Sequence, residues 1–145
     1  MSRDPIALDQ PGVEQFIRSH PNPFDLLTVA ETPSLLELGA GDLSFTGEIV
    51  DRYLPDLQKQ GRELIVHCVD RLNPDSQLGG PLHPDAGLLR RLQRPGTGLQ
   101  FHFWGNQDMF ALDSGVHLLP RYVIATCQAP ATPTFAYEPT RLSPA

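Results

Sequence analysis

The spacing of hydrophobic residues changes repeatedly along the chain between the period of a strand and that of a helix. Apolar residues recur three and four positions apart over Phe45–Leu57, which predicts an amphipathic helix packed on a sheet. Pro55 is expected to end or kink this helix because proline lacks a backbone N–H. Shorter helices are predicted at Val13–Arg18 and at Ala86–Leu92, the latter opened by Asp85.

Four short apolar runs predict strands. Ser34–Leu38 and Leu64–Val69 are almost continuously apolar, which is typical of parallel strands buried on both faces, and Tyr122–Thr126 has the same character. Leu99–Trp104 alternates apolar with polar residues, which indicates a strand with one wetter side at an edge. The alternation of strands and helices predicts an α/β fold with a parallel sheet in the order 3-2-1-4, flanked by helices.

The chain of 145 residues fits a single domain. Its core is expected at about 33–130, between an N-terminal helical leader, 1–32, and a proline-rich irregular tail, 131–145. The hydrophobic share of 40% is enough for a packed core. No apolar stretch approaches the ~20 residues of a membrane span, and the first residues contain no apolar signal region. A cytoplasmic protein that does not enter a membrane is therefore predicted.

Charge and metal-ligand spacing narrow the function further. A net charge of -6 argues against nucleic-acid binding, which needs a basic face to neutralise phosphates. The five histidines show no spacing typical of a metal site. Cys68 and Cys127 are far apart and lack a CxxC partner, so buried thiols are expected and a metal site is not.

The segment from Glu37 to Ser44 joins the first predicted strand to the long helix. Gly39 permits a tight turn, and Gly41 lets the backbone approach a ligand closely. The helix that follows offers unpaired N–H groups and the positive end of its dipole, which suit a carboxylate or a phosphate. Glycine pairs of this spacing also occur in ordinary strand–helix turns, so this segment alone does not decide between the two interpretations.

Two carboxylates follow other strands at the same predicted edge of the sheet. Asp70 comes directly after the second strand, where a doubly wound sheet binds its ligand, and can accept hydrogen bonds from two ribose hydroxyls. A loop aspartate before Pro74 is the alternative. Asp108 follows the third strand and can accept from an adenine amino group, with Met109 or Phe110 against the ring. Capping of a helix is the competing role for Asp108.

These segments carry a family resemblance. The sequence LLELGAGDLSF resembles the first motif of class I S-adenosylmethionine-dependent methyltransferases, while VHCVDR and GNQDMF resemble the second and third motifs. The resemblance implies a Rossmann-like fold with S-adenosylmethionine as cofactor. It also implies that the glycine loop surrounds the amino-acid part of the cofactor, that Asp70 binds the ribose and that the third motif lies near the adenine. The implied cofactor-binding residues are Glu37, Gly39, Ala40, Gly41, Asp70, Asp108 and Met109.

The sequence departs from this pattern in three respects. Leu43 stands where many members have a third glycine, and Asp70 lies farther along the chain than usual. Family members usually have a seven-stranded sheet, whereas four strands are predicted here, so a truncated or reduced domain is expected. A nicotinamide-binding Rossmann domain is the nearest rival, but its last glycine is missing at Ser44 and its ribose acid should follow the glycines by roughly 20 residues.

The resemblance implies transfer of a methyl group from S-adenosylmethionine to an acceptor that the sequence does not identify. The family's acceptor site follows the fourth strand, where Phe135, Tyr137 and Glu138 either contact a substrate or pack the tail. The alternative is a non-catalytic Rossmann-like module that binds a nucleotide or a partner protein. The apolar fourth strand would be an exposed edge, which the tail can cover or a homodimer can pair.

Overall fold

A computed structural model describes residues 10–20, 22–71, 84–108 and 111–127 of the chain. A 3-10 turn lies between the first two helices. In chain order, the elements are α1 (Gln10–Ser19), the 3-10 turn (Pro23–Asp25), α2 (Leu26–Val29), β1 (Ser34–Leu38), α3 (Ser44–Lys59), β2 (Leu64–Val69), α4 (Ala86–Leu92), β3 (Leu99–Trp104) and β4 (Ile124–Cys127).

The four strands form one parallel sheet in the order β3-β2-β1-β4, flanked by helices. The prediction of a Rossmann-like α/β fold is therefore confirmed. The bounds of β1, β2, β3 and α4 agree with the sequence pattern. β4 begins two residues later than predicted, and the Tyr122 side chain before it contacts His67 of β2. Within the described sheet β4 is an edge strand and alternates in exposure, whereas its apolar sequence predicts a central position.

The main core lies between the sheet and α3. The inward positions of α3 include Ile49, Val50 and Leu57, which pack against buried residues of β1 and β2. The helix runs through Pro55 and ends at Lys59, so Pro55 does not end it, and the alternative of a kink stays a prediction. Pro55 is on the exposed side of the helix, and the fully buried Leu57 beyond it keeps the last turn on the sheet.

Strand register assigns the side chains to two faces of the sheet. One row on the α3 side consists of Phe103, Cys68, Glu37 and Thr126, which are successive partners from β3 to β4. The next row on the opposite face has His102, His67 and Leu36 in the same order.

The N-terminal helices are attached to the α3 side of the domain. Phe16, Leu26 and Val29 form a second small core with residues next to β4. The Tyr53 hydroxyl of α3 donates to the Asp25 carboxylate at 2.8 Å, which joins α3 to the 3-10 turn. Among the residues that the structure describes, no helix is long and apolar enough to cross a membrane. The predicted tail, 131–145, is outside the described residues.

Candidate functional site

The carboxyl ends of β1 and β2 bring the predicted site residues to one edge of the sheet. In the order β3-β2-β1-β4, the direction of winding reverses between β1 and β4. Ligands of open α/β sheets bind outside the carboxyl ends of the strands at such a reversal. The glycine loop leaves β1 at this point, and Asp70 leaves the neighbouring strand β2.

The glycine loop has the backbone conformation that its sequence predicts. Gly39 and Gly41 have φ angles of 78° and 62°, which side-chain-bearing residues rarely adopt. The Gly39 N–H donates to the Val69 carbonyl at 2.8 Å, and the Leu43 N–H donates to the Ala40 carbonyl at 3.2 Å. A Cβ atom built on Gly41 meets no atom within 4 Å. The loop therefore presents bare backbone to open space at Gly41.

Asp70 is joined directly to the glycine loop. Its Oδ2 atom accepts a hydrogen bond of 2.7 Å from the Gly41 N–H. Its backbone is fixed as well, because its N–H donates to the Trp104 carbonyl at 3.1 Å and its carbonyl accepts from the Gln107 N–H at 2.9 Å. The carboxylate that sequence analysis assigned to a ribose thus lies beside the loop assigned to the amino-acid end of the same cofactor.

Leu43 and Asp42 set the start of α3. Leu43 has a φ angle of 73°, a left-handed conformation that is uncommon for a bulky residue, and its side chain is fully buried in the core. Asp42 Oδ1 accepts from the Ser44 hydroxyl at 2.7 Å and from the Ser44 N–H at 2.9 Å. These bonds lower the pKa of Asp42. The Asp42 carboxylate therefore pairs with the N–H of the first residue of α3.

Glu37 lies inside the protein beneath the glycine loop. Only 1% of its surface is exposed. Its Oε2 atom accepts from the Thr46 hydroxyl of α3 and, at 3.4 Å, from the Cys68 thiol of β2. Burial raises the pKa of Glu37, and the two hydrogen bonds offset part of that rise. In this structure Glu37 joins β1, β2 and α3, whereas the resemblance implies that it surrounds a cofactor.

Asp108 lies beside the same edge, where its carboxylate contacts a basic side chain. Its carboxylate is 3.6 Å from the Arg71 guanidinium, and both side chains are substantially exposed. The backbone of Asp108 forms an isolated antiparallel bridge with Ala111. Arg71 directly follows Asp70, so this ion pair joins the loops that leave β2 and β3.

Several predicted contacts lie outside the described residues. They are Met109, Phe110, Phe135, Tyr137 and Glu138. The cofactor-binding role of Met109 and the acceptor-site roles of the last three therefore stay predictions.

The two strand histidines belong to an aromatic cluster on the face opposite α3. His67 Nδ1 and the Tyr122 hydroxyl are 2.5 Å apart, and that hydroxyl accepts from the Leu119 N–H at 2.9 Å. The Trp104 ring contacts both imidazoles, with centroids 5.0 Å from His67 and 4.4 Å from His102. Burial lowers the pKa of His67, and the neighbouring His102 lowers it further. This cluster fixes the segment before β4 to the sheet.

Metal chemistry finds no support in the described part of the chain. No group of three or more histidine, cysteine, aspartate or glutamate side chains there has the arrangement of a metal site. Neither cysteine forms a disulfide. Cys68 is buried as expected, and burial raises its pKa well above the usual value, whereas Cys127 is exposed at the edge strand.

The sequence predicts N–H groups at the glycine loop that are open to a carboxylate or phosphate ligand, whereas in the structure the protein's own carboxylates accept from two of them. The Gly41 N–H and the Ser44 N–H both donate to carboxylates, those of Asp70 and Asp42. A phosphate at this position would have to compete with these two negative charges for the same donors. The arrangement instead favours a ligand with positive charge near the loop and hydroxyl donors near Asp70.

Three residues that complete this arrangement were not predicted as site residues from the sequence. Asp42 two positions before Ser44 is a common turn and capping pattern, so it had a recognisable signal. Thr46 and Cys68 had none, because their contact with Glu37 depends on how α3 crosses the sheet.

Comparison with protein-family models, with curated proteins and with solved structures found no match to this chain. The function has to be inferred from the site itself.

Proposed function

We propose that this domain binds S-adenosylmethionine at the carboxyl edge of the sheet and serves as the cofactor-binding part of a methyltransferase. The hydrogen bond from the Gly41 N–H to Asp70 is the observation that carries the proposal. It joins the glycine loop of the first motif to the acidic residue of the second across two neighbouring strands. A cofactor with a ribose next to an amino-acid chain requires these two features side by side.

The charge of the loop supports this cofactor over a dinucleotide. S-adenosylmethionine carries a sulfonium and an ammonium group against one carboxylate, so its amino-acid end is positive overall. Asp42 and Asp70 place negative charge at the loop, which favours such a group and disfavours a pyrophosphate. The open space at Gly41 is where the cofactor would approach the backbone.

The chain's residues would contribute binding and orientation to the reaction. S-adenosylmethionine, when bound, supplies an activated methyl group, and methyl transfer mainly requires alignment of the acceptor with that group and exclusion of water. Asp70 would hold the ribose hydroxyls, and Gly39, Ala40 and Gly41 would border the amino-acid chain. Glu37 would act indirectly by holding β1 and α3 together beneath the loop. Asp108 would reach the adenine after exchange of its Arg71 contact.

Calorimetric titration of the purified chain with S-adenosylmethionine and S-adenosylhomocysteine tests the proposal. Asp70→Ala should weaken binding about tenfold or more because hydrogen bonds to a charged group are lost. Gly41→Ala should also weaken binding, since a Cβ would fill the space of approach. Asp56→Asn, a change at an exposed carboxylate of α3, is the matched control and should bind like the wild type. Folding of each variant is checked by circular dichroism.

Two results would contradict the proposal. One is the absence of saturable binding by a wild-type chain with a cooperative unfolding transition. The other is tighter binding of NAD than of S-adenosylhomocysteine. Binding without turnover of any acceptor would favour the alternative function, a non-catalytic nucleotide-binding module.

We also propose that β4 pairs with its copy in a homodimer. Among the described residues, β4 has a strand partner on the β1 side alone, and an unpaired strand edge readily pairs with another strand. Light scattering coupled to gel filtration should give twice the mass of 16.0 kDa. A monomer at micromolar concentration would refute this pairing.

A further inference from the structure

Thr126 carries a polar atom that the fold leaves without a partner. Its Oγ1 atom is buried, and it makes no hydrogen bond in the part of the chain that the structure describes. Buried hydroxyls in native proteins are nearly always hydrogen-bonded, and those that are not call for a specific explanation. The strand partners of Thr126 show where this unpaired hydroxyl lies in the sheet.

Thr126 is the partner of Glu37 in the register between β4 and β1. Glu37 accepts hydrogen bonds from Thr46 and from Cys68, its partner on the other side. Glu37, Thr46 and Cys68 are therefore hydrogen-bonded to one another, whereas the Thr126 hydroxyl on the β4 side has no partner among the described residues. This unsatisfied hydroxyl lies between β1 and β4, where the winding of the sheet reverses and where such sheets bind ligands.

The order of the strands determines which part of the ligand lies near Thr126. Asp70 directly follows β2 and Thr126 is on β4, so they flank β1 and its glycine loop on opposite sides. Neighbouring strands are about 4.8 Å apart, which separates β2 from β4 by roughly 10 Å. A cofactor with its ribose at Asp70 that extends across Gly41 would place its amino-acid end over β4.

We propose that the Thr126 hydroxyl is a further cofactor contact, which accepts a hydrogen bond from the ammonium group at the amino-acid end of S-adenosylmethionine. This assignment rests on the proposed function. Thr126 keeps part of its surface exposed near the end of β4. Rotation about its Cα–Cβ bond exchanges the hydroxyl and methyl positions and turns the hydroxyl from the interior towards the strand end. The carboxylates of Asp42 and Asp70, which accept hydrogen bonds from the glycine loop, favour a cation as the donor.

The test compares two ligands in three proteins. S-adenosylhomocysteine has the amino-acid end, and 5′-methylthioadenosine lacks it. Thr126→Val keeps the shape of the side chain and removes the hydroxyl, whereas Thr126→Ser keeps the hydroxyl. Calorimetry should show S-adenosylhomocysteine binding weakened about three- to tenfold by Thr126→Val and restored in Thr126→Ser. 5′-Methylthioadenosine should bind all three proteins equally.

Melting of the ligand-free proteins gives a second measurement. Thr126→Val should melt at the same temperature as the wild type or higher, because it replaces an unsatisfied buried hydroxyl with a methyl group. A lower melting temperature would mean that the hydroxyl already has a partner and would overturn the assignment. If Thr126→Val weakened the binding of both ligands equally, or of neither, the Thr126 assignment would also be overturned while the proposed function would stand. Failure of the wild type to bind either ligand would refute the proposed function, and the Thr126 contact with it.

Discussion

The left-handed conformation of Leu43 allows a sharp test of how the glycine loop is built. Leu43 combines a positive φ angle with a fully buried side chain, so two opposing energies act at one residue. Its side chain stabilises the core, while its backbone conformation is sterically unfavourable by about 1–2 kcal/mol for a residue with a Cβ. Replacement by alanine and by glycine separates these two energies.

Leu43→Ala removes the buried side chain and keeps the backbone strain, so unfolding should become about 2–5 kcal/mol easier. Leu43→Gly removes the same side chain and also relieves the strain of about 1–2 kcal/mol. Against this relief, glycine gives the unfolded chain more freedom, which costs about 0.5–1 kcal/mol relative to alanine. The glycine variant should therefore be more stable than the alanine variant by about 0.75 kcal/mol, the difference between the midpoints of these two ranges.

Leu54 provides the matched control because it is a buried leucine in the interior of α3. There glycine should be less stable than alanine by about 1 kcal/mol, the usual difference in a helix. Urea unfolding of all four variants measures both differences, followed by circular dichroism and by the fluorescence of Trp104, the single tryptophan. Coincident transitions by the two probes would justify two-state free energies. If alanine were the more stable replacement at Leu43 as well as at Leu54, the left-handed conformation of Leu43 would be wrong.

Three further predictions concern ionisable groups. Because the pKa of Glu37 is raised, the unfolded chain loses this proton above about pH 4.5 while the folded chain keeps it, so the free energy of unfolding falls as pH rises above that value. Glu37→Gln should remove this pH dependence in urea unfolding measured from about pH 4 to 8, and an unchanged pH dependence would contradict the prediction. The lowered pKa of His67 has the opposite consequence, because the unfolded chain binds a proton below about pH 6.5 and the free energy of unfolding should fall there. His67→Gln should reduce this loss of stability at low pH, as measured by Trp104 fluorescence. Tyr53→Phe removes the bond to the Asp25 carboxylate and should cost about 1–2 kcal/mol in the same assay, whereas an effect near zero would mean that water replaces the bond.

The opposite pH dependences of Glu37 and His67 follow from where each group lies. Both are disfavoured in their charged forms by burial, but charging means losing a proton for a carboxyl and gaining one for an imidazole. Glu37 retains two hydrogen-bond donors that favour the carboxylate. His67 instead faces a second imidazole, which disfavours a second positive charge.

Local sequence was sufficient for most of the secondary structure. The periods of β1, β2 and β3 predicted their bounds because a strand buried on one or both faces must place apolar side chains at fixed spacing. The wetter pattern of β3 indicated an edge strand and agrees with the sheet order, whereas the apolar pattern of β4 indicated a central strand and does not. The glycines at 39 and 41 indicated the turn, since few other residues adopt positive φ angles. These are properties of single segments and their immediate neighbours.

The contacts between segments were decided by the tertiary structure. The bond between Gly41 and Asp70 joins residues that are 29 positions apart, and it replaces the free donor that the glycine loop suggested. Glu37 faces α3 and the interior because of the side on which that helix crosses β1. Leu43 holds a glycine-like conformation because burial of its side chain offsets the strain. Sequence periodicity specifies which face of a segment is apolar, but the partner of each polar atom depends on packing between segments distant in the chain.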